Sequence, residues 1–235
     1  MPLSLDTRNV GDATIVRCGG RVVAGGETDS LRDHVAGVLQ EHRDIVLHLG
    51  DVTFIDSSGL GTLVRLLSST RRVHGDLKLC NVPANIREVL RMTNLSTLFA
   101  IHDSEEDAVL AFYQRSAARE LPTAAGPTVL CVDQSADVLA YLRELLRSAG
   151  YNLLTSGNLR DALILLRATR PSLLILGPSM GASPGTEQAF RKACAHLPIV
   201  ELGAEFSTSD AGQAASELLE RIRVCLREQG SVSRV

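Results

Sequence analysis

Two hydroxyls and a carboxylate stand together in Phe54-Ile55-Asp56-Ser57-Ser58-Gly59-Leu60-Gly61. The apolar run Ile45-Val46-Leu47-His48-Leu49 precedes them, and the helix-like run Thr62-Leu63-Val64-Arg65-Leu66-Leu67 follows. This spacing predicts a loop over 56–61 that hands a strand to a helix running to about Val73. A helix start carries unsatisfied N–H groups and a partial positive charge, so it accepts an added anion. A serine there can take a phosphate without breaking the fold. The same residue types are ordinary helix caps, and on spacing alone Asp56 or Ser57 fits that role.

Other chemistry has weaker support. Gly19-Gly20 and Gly25-Gly26 flank Arg21-Val22-Val23-Ala24, but no Gly-Lys-Ser/Thr follows either pair, so they read as turns and not as a phosphate loop. Cys18, Cys80, Cys131, Cys194 and Cys225 are far apart and mostly embedded in apolar runs, as buried reduced thiols are. The six histidines are equally scattered, so no metal site and no cofactor is expected. Arg65, Arg71, Arg72 and His74 read as a solvated helix face. No Ser-His-Asp or Cys-His arrangement suggests catalysis.

The elements that position the serines follow from periodicity. Candidate strands Leu3–Asn9 and Ala13–Cys18, joined at Gly11-Asp12, form an opening hairpin. Leu31, Val35, Val38 and Leu39 mark a helix face. Strands at Ile45–Leu49 and Leu77–Val82, a short helix through Ile86, Val89 and Leu90, a strand at Leu98–Ile101 and an acid-started helix from about Ser104 complete a first unit. From Ser116 to Gly126 the pattern lapses into a linker. A second alternating unit starts at Thr128. Its strands are Val129–Val132, Leu153-Leu154, Leu173–Leu176 and Ile199–Leu202, and its last helix spans about Ala214 to Arg227. The organisation expected is thus 1–115, a linker 116–126, a second domain 127–228 and a tail 229–235. The class is α/β: a mixed sheet with helices first, then a parallel doubly wound sheet.

At 235 residues with 45% hydrophobic content, two real cores fit the chain. Aromatics at 3% and a net charge of -3 argue against nucleic acid as a partner. No apolar run reaches membrane-spanning length, and Met1–Asp6 lacks a signal-peptide pattern, so a cytoplasmic location without membrane insertion is expected.

The first domain resembles the STAS family of anti-sigma-factor antagonists and their transporter and stressosome relatives. The resemblance rests on the order of elements and on Leu49-Gly50-Asp51-Val52-Thr53-Phe54-Ile55-Asp56-Ser57-Ser58-Gly59-Leu60, with Leu79-Cys80-Asn81-Val82-Pro83 and Met92-Thr93-Asn94-Leu95 in support. It implies that Ser58 is phosphorylated by a kinase that is itself an anti-sigma factor. It also implies that the unphosphorylated protein docks on that kinase and that a serine phosphatase resets it. Asp56, Ser57, Ser58 and Gly59 then form the partner-binding loop, with Ser57 assigned to capping and Asp56 beside the modified hydroxyl. The alternative is a scaffold in a stressosome-like or transporter-accessory assembly, with Ser58 merely a cap. Neither reading makes the chain an enzyme.

The second domain resembles the response-regulator receiver fold, a flavodoxin-like parallel sheet, through Val129-Leu130-Cys131-Val132-Asp133 and Pro171-Ser172-Leu173-Leu174-Ile175-Leu176. Its chemistry departs from that family. Gln134 stands where a second acid is expected, Gly177 where the phosphoacceptor aspartate is expected, and Gly203 at the hydroxyl switch position. Asp133 alone can neither form an acyl phosphate nor hold its magnesium, and reads as a solvated or helix-capping acid. The stretch Glu205–Asp210 is too short for a full receiver. The expectation is a shortened, non-phosphorylatable scaffold through which the protein forms a homo-oligomer.

Overall fold

The computed structural model describes residues 1–119, 126–179, 184–203 and 211–232. The chain divides into two units, Met1–Arg115 and Ser116–Val235. Each carries its own sheet.

In the first unit, β1 (Ser4–Val10) and β2 (Ala13–Val22) form the antiparallel hairpin. Parallel strands β3 (Asp44–Ile55), β4 (Asp76–Cys80) and β5 (Ala100–His102) then extend the sheet in the order β1-β2-β3-β4-β5. The helices are α1 (Gly26–Val38), α2 (Ser57–Arg72), α3 (Ala84–Met92) and α4 (Glu105–Arg119). Strand residues alternate between faces. Val16, Cys18, Ile45, Leu47, Leu49, Leu77 and Leu79 point to one core, which Leu31, Val35, Leu63, Leu66, Ile86 and Leu90 close from α1, α2 and α3. The intervening residues face α4, whose Phe112 ring lies 4.7 Å from the Lys78 ammonium and whose Tyr113 hydroxyl accepts from the Asp12 amide at 3.0 Å. Ser104 caps α4 by accepting from the Asp107 amide at 3.0 Å, and the acids Glu105, Glu106 and Asp107 fill its first turn.

Several boundaries move from their expected places. Strand β3 continues unbroken to Ile55, because β2 runs beside it as far as Val22. The expected loop 56–61 is therefore the first turn of α2. Gly19-Gly20 is not a turn. Both glycines lie within β2 at a register irregularity, and a Cβ on Gly20 would come within 2.1 Å of the Pro2 carbonyl. Helix α4 continues to Arg119, into the expected linker, of which 120–125 lie outside the described residues.

The second unit has parallel strands β6 (Thr128–Val132), β7 (Asn152–Ser156), β8 (Leu173–Leu176) and β9 (Ile199–Glu201) in the order β7-β6-β8-β9. Helices α5 (Ala136–Ser148), α6 (Leu159–Thr169), α7 (Pro184–Ala193) and α8 (Ala211–Val232) accompany them. This is the flavodoxin-like order with four strands, and its switch point lies between β6 and β8. Leu142 and Leu146 of α5 and Leu218 and Ile222 of α8 pack with Val129, Cys131 and Ile175. Helix α8 continues to Val232, through much of the expected tail, and Glu205–Asp210 lies outside the described residues.

Asp133 corrects the sequence reading. It is neither solvated nor a cap, since it is 1% exposed and Ser135 caps α5 by accepting from the Val138 amide. The Asp133 carboxylate accepts from the Ser135 amide at 2.6 Å and from the Ser179 amide at 3.2 Å, tying the end of β6 to the loop after β8. An ideal Cβ on Gly177 would lie 1.7 Å from its Oδ2. The carboxylate thus fills the space a side chain at 177 would need. Gly177→Ala is expected to destabilise the second unit by about 1–3 kcal/mol through overpacking. In an Asp133→Ala background that penalty should shrink, giving a coupling of roughly 1 kcal/mol or more in a denaturant double-mutant cycle.

Candidate functional site

The start of α2 is built by two backbone contacts and one carboxylate. The Asp56 amide donates to the Val22 carbonyl at 3.2 Å, so the pairing of β2 and β3 fixes where the chain leaves the sheet. The Asp56 backbone is extended, and its carbonyl accepts from the Leu60 amide at 2.9 Å to begin the helix. Its side chain is bidentate: Oδ1 accepts from the Gly59 amide at 2.8 Å and Oδ2 from the Ala24 amide at 2.9 Å. Asp56 is therefore the cap. The assignment of that role to Ser57 is corrected: Ser57 is the first helical residue, and the acid before it already satisfies the orphan amide at Gly59.

Gly59 belongs to this junction for steric reasons. A Cβ there would lie 2.3 Å from the Val22 carbonyl oxygen and 2.7 Å from Ile55 Cγ1. Buried Leu60, Leu63, Leu66 and Leu67 anchor the following turns against the sheet. Ser57 and Ser58 face the other way and are exposed. The structure thus brings Asp56 and Gly59 into the scaffold of the turn and leaves both serines exposed to solvent.

The electrostatics are set locally. The Ala24 amide, then the Gly59 amide, hold the Asp56 carboxyl below the usual carboxylate range, with smaller help from Ser58 and the Arg21 guanidinium. The acid is ionised at neutral pH. A phosphate on Ser58 would gain from the helix start but stand two residues from a fixed anion. Arg21 is held over the Phe54 ring at 5.2 Å, and Phe54 is 48% exposed. Sequence reasoning missed Ala24, Arg21 and Phe54 as parts of this junction. The pairing of Arg21 with Phe54 across β2 and β3 brings them together, and no local spacing encodes it.

The other candidates sort differently. Arg71, in the last turn of α2 and at the opposite end from Ser58, donates to the Leu98 carbonyl and pairs with Asp76 at 3.6 Å. Four cysteines are buried, with Cys18 and Cys80 thiols pushed up to about 12 by burial, while Cys225 is half-buried. Among the described residues no cluster of three or more His, Cys, Asp or Glu is placed to hold a metal, and no helix is long and apolar enough to cross a membrane. In the second unit a cleft of about 250 Å³ opens beside Leu176, Gly177, Phe190, Cys194 and Leu202, flanked by the Glu187–Arg191 pair at 3.1 Å.

Residues 4–108 match the STAS domain family. The N-terminal unit contains a STAS domain. Among relatives, BtrV of Bordetella bronchiseptica is 29% identical over 102 residues, covering 43% of this chain and 88% of BtrV. The anti-sigma F factor antagonist of Paenibacillus polymyxa is 29% identical over 84 residues, 35% of this chain and 72% of that protein. The transcriptional regulatory protein PrrA of Mycobacterium tuberculosis is 31% identical over 123 residues, 46% of this chain and 53% of PrrA. The chain therefore spans about half the length of PrrA.

The cap of the STAS helix α2 has a pH signature. A carboxyl whose folded pKa is depressed contributes stability above its ordinary pKa and loses it as pH falls through the folded value. Asp56→Ala should lower the melting temperature of the STAS domain at pH 7. The gap to the parent protein should narrow as pH falls from 5 towards 2 in thermal scans, while Asp56→Asn, which has one acceptor oxygen for two amides, should be less stable than the parent at pH 7 and show little of this pH dependence.

Proposed function

We propose that this protein is an anti-sigma factor antagonist switched by phosphorylation of Ser58. The observation that carries this reading is the geometry of the STAS helix start. Ser58 is exposed in the first turn of α2, on a junction already fixed by Asp56 and Gly59, beside a carboxylate that is ionised at neutral pH. The name of the Paenibacillus relative supports the class.

The switch follows from charge. With Ser58 unmodified, the helix start presents neutral hydroxyls, the exposed Phe54 ring and the Arg21 guanidinium to an anti-sigma-factor serine kinase. Transfer of a phosphoryl group to the Ser58 oxygen adds about -1.5 to -2 charge. The fold tolerates it at a helix start, but a fitted interface does not, because like charges and desolvated phosphate oppose docking. Asp56 adds to that repulsion from a fixed place. A serine phosphatase removes the phosphate and restores docking. The protein itself needs no catalytic group in this scheme. The second unit, with Asp133 filling the position above Gly177, serves as a module that does not take an acyl phosphate and through which copies of the chain associate.

The test uses the cognate kinase and ATP. Ser58 should be the modified residue by mass spectrometry, with Ser57→Ala still modified and Ser58→Ala not. Ser58→Ala should keep binding the kinase, and Ser58→Glu should weaken binding by about a hundredfold or more, as several kcal/mol of like-charge cost implies. Absence of modification at Ser58, with assembly unchanged by Ser58 replacements, would instead assign the protein to a scaffold role.

A further inference from the structure

The two edges of the first sheet are unlike each other. Strand β5 presents only Ala100–His102, whereas β1 presents the whole of Ser4–Val10. Sheets of monomeric proteins blunt an edge with proline, lysine, a bulge or a covering segment, because its free N–H and C=O groups pair readily with another strand. Strand β1 has no proline and no lysine, and its register with β2 runs from Ser4 opposite Gly19 to Val10 opposite Ala13 without a shift. Among the described residues no strand pairs with its outer side.

Hairpin geometry decides which groups lie on that outer side. Val10 and Ala13 close the Gly11-Asp12 turn and so exchange hydrogen bonds. Bonded pairs then recur at every second residue: Arg8 with Ile15, Asp6 with Arg17 and Ser4 with Gly19. The Ser4 hydroxyl, 3.5 Å from the Gly19 carbonyl oxygen, agrees with that carbonyl facing β1. The backbone N–H and C=O groups of Leu5, Thr7 and Asn9 therefore point away from β2.

The side chains alternate as well. Asp6 and Arg8 share the face that α4 covers, where Arg8 is bound to Glu105. Arg17, opposite Asp6 on β2, turns to Asp51 at 3.3 Å. Asp6 is exposed, and among the described residues no cation pairs with it.

Charge selects what this edge fits. A second β1 can lie antiparallel to the first about a twofold axis at Asp6, Thr7 or Arg8, and axes nearer either end leave much of the strand unpaired. An axis at Asp6 sets acid against acid, and one at Arg8 sets cation against cation, which is unfavourable for directly opposed residues. An axis at Thr7, the midpoint of Ser4–Val10, sets Asp6 of each copy opposite Arg8 of the other. The outward groups then meet as Leu5 with Asn9, Thr7 with Thr7 and Asn9 with Leu5, each pair exchanging its N–H and C=O. A guanidinium carries several donors, so Arg8 can serve Glu105 of its own chain and Asp6 of the second copy together.

We propose that β1 is an interface between two copies of this chain, whose β1 strands pair antiparallel about a twofold axis at Thr7 and join the two sheets edge to edge. Such a contact is isologous and closes on itself. It lies in the first unit and is separate from the association assigned to the second.

Sedimentation of the full chain over a concentration series tests this. Asp6→Lys should weaken association by about tenfold or more, because two symmetry-related pairs turn from attraction to repulsion. Arg8→Asp should weaken it similarly. Mixed in equal amounts, the two variants should associate with each other about as well as the parent protein does, since each supplies the charge the other lacks. Where circular dichroism finds Arg8→Asp unfolded, Thr7→Pro takes its place: it removes an outward N–H that β2 does not use, and should weaken association as Asp6→Lys does. A parent chain that stays monomeric, association unchanged by Asp6→Lys or by Thr7→Pro, or two folded charge variants that fail to restore each other would overturn the proposal.

Discussion

The Asp56 carboxylate, shared between the Gly59 and Ala24 amides, is the interaction on which the first unit's functional end depends. One oxygen caps the start of α2 and the other holds the segment that follows β2, so β2, β3 and α2 meet at a single side chain. The steric counterpart is Gly59, whose missing Cβ lets the helix approach the Val22 carbonyl. Neither works alone. The cap fixes direction, the glycine allows closeness, and Leu60 and Leu63 then bury the inner face so that the two serines are left outside.

The same sheet uses its two faces for different purposes. The face towards α1, α2 and α3 is an apolar core of Val, Leu and Ile residues, which supplies the bulk of the hydrophobic stabilisation. The face towards α4 mixes Ile15, Val46 and Phe112 with His48, Lys78 and His102.

In the second unit a carboxylate again connects two segments, with a different outcome. Asp133 sits at the switch point of a flavodoxin-like sheet and spends both oxygens on the backbone amides of Ser135 and Ser179. The volume where a reactive side chain would project from position 177 is already occupied. The absent side chain at Gly177 and the inward placement of Asp133 are two sides of one steric fit. The fold retains the strand order of its class while the space above position 177 is filled by the Asp133 carboxylate.

Much of this was legible in the chain itself. Alternating apolar runs marked both α/β units and the opening hairpin, because burial of a sheet face imposes period two and of a helix face period 3.6. The run from Leu49 to Leu60 located the serines, and the buried cysteines followed from their apolar neighbours. What local spacing left open was which hydroxyl or acid caps α2, since Asp56 and Ser57 are both good caps and differ only in which backbone amide lies within reach. The same holds for Asp133, which resembles a solvated acid until β8 is placed beside β6. Arg21 against Phe54 and His48 beside Cys80 and His102 were equally out of reach of local reading. Residue types and periodicity determine the elements and the chemistry available to them. Only strand register and helix docking, which bring residues distant in sequence within a few ångströms, decide which group holds the turn, which fills a cavity and which is left facing solvent.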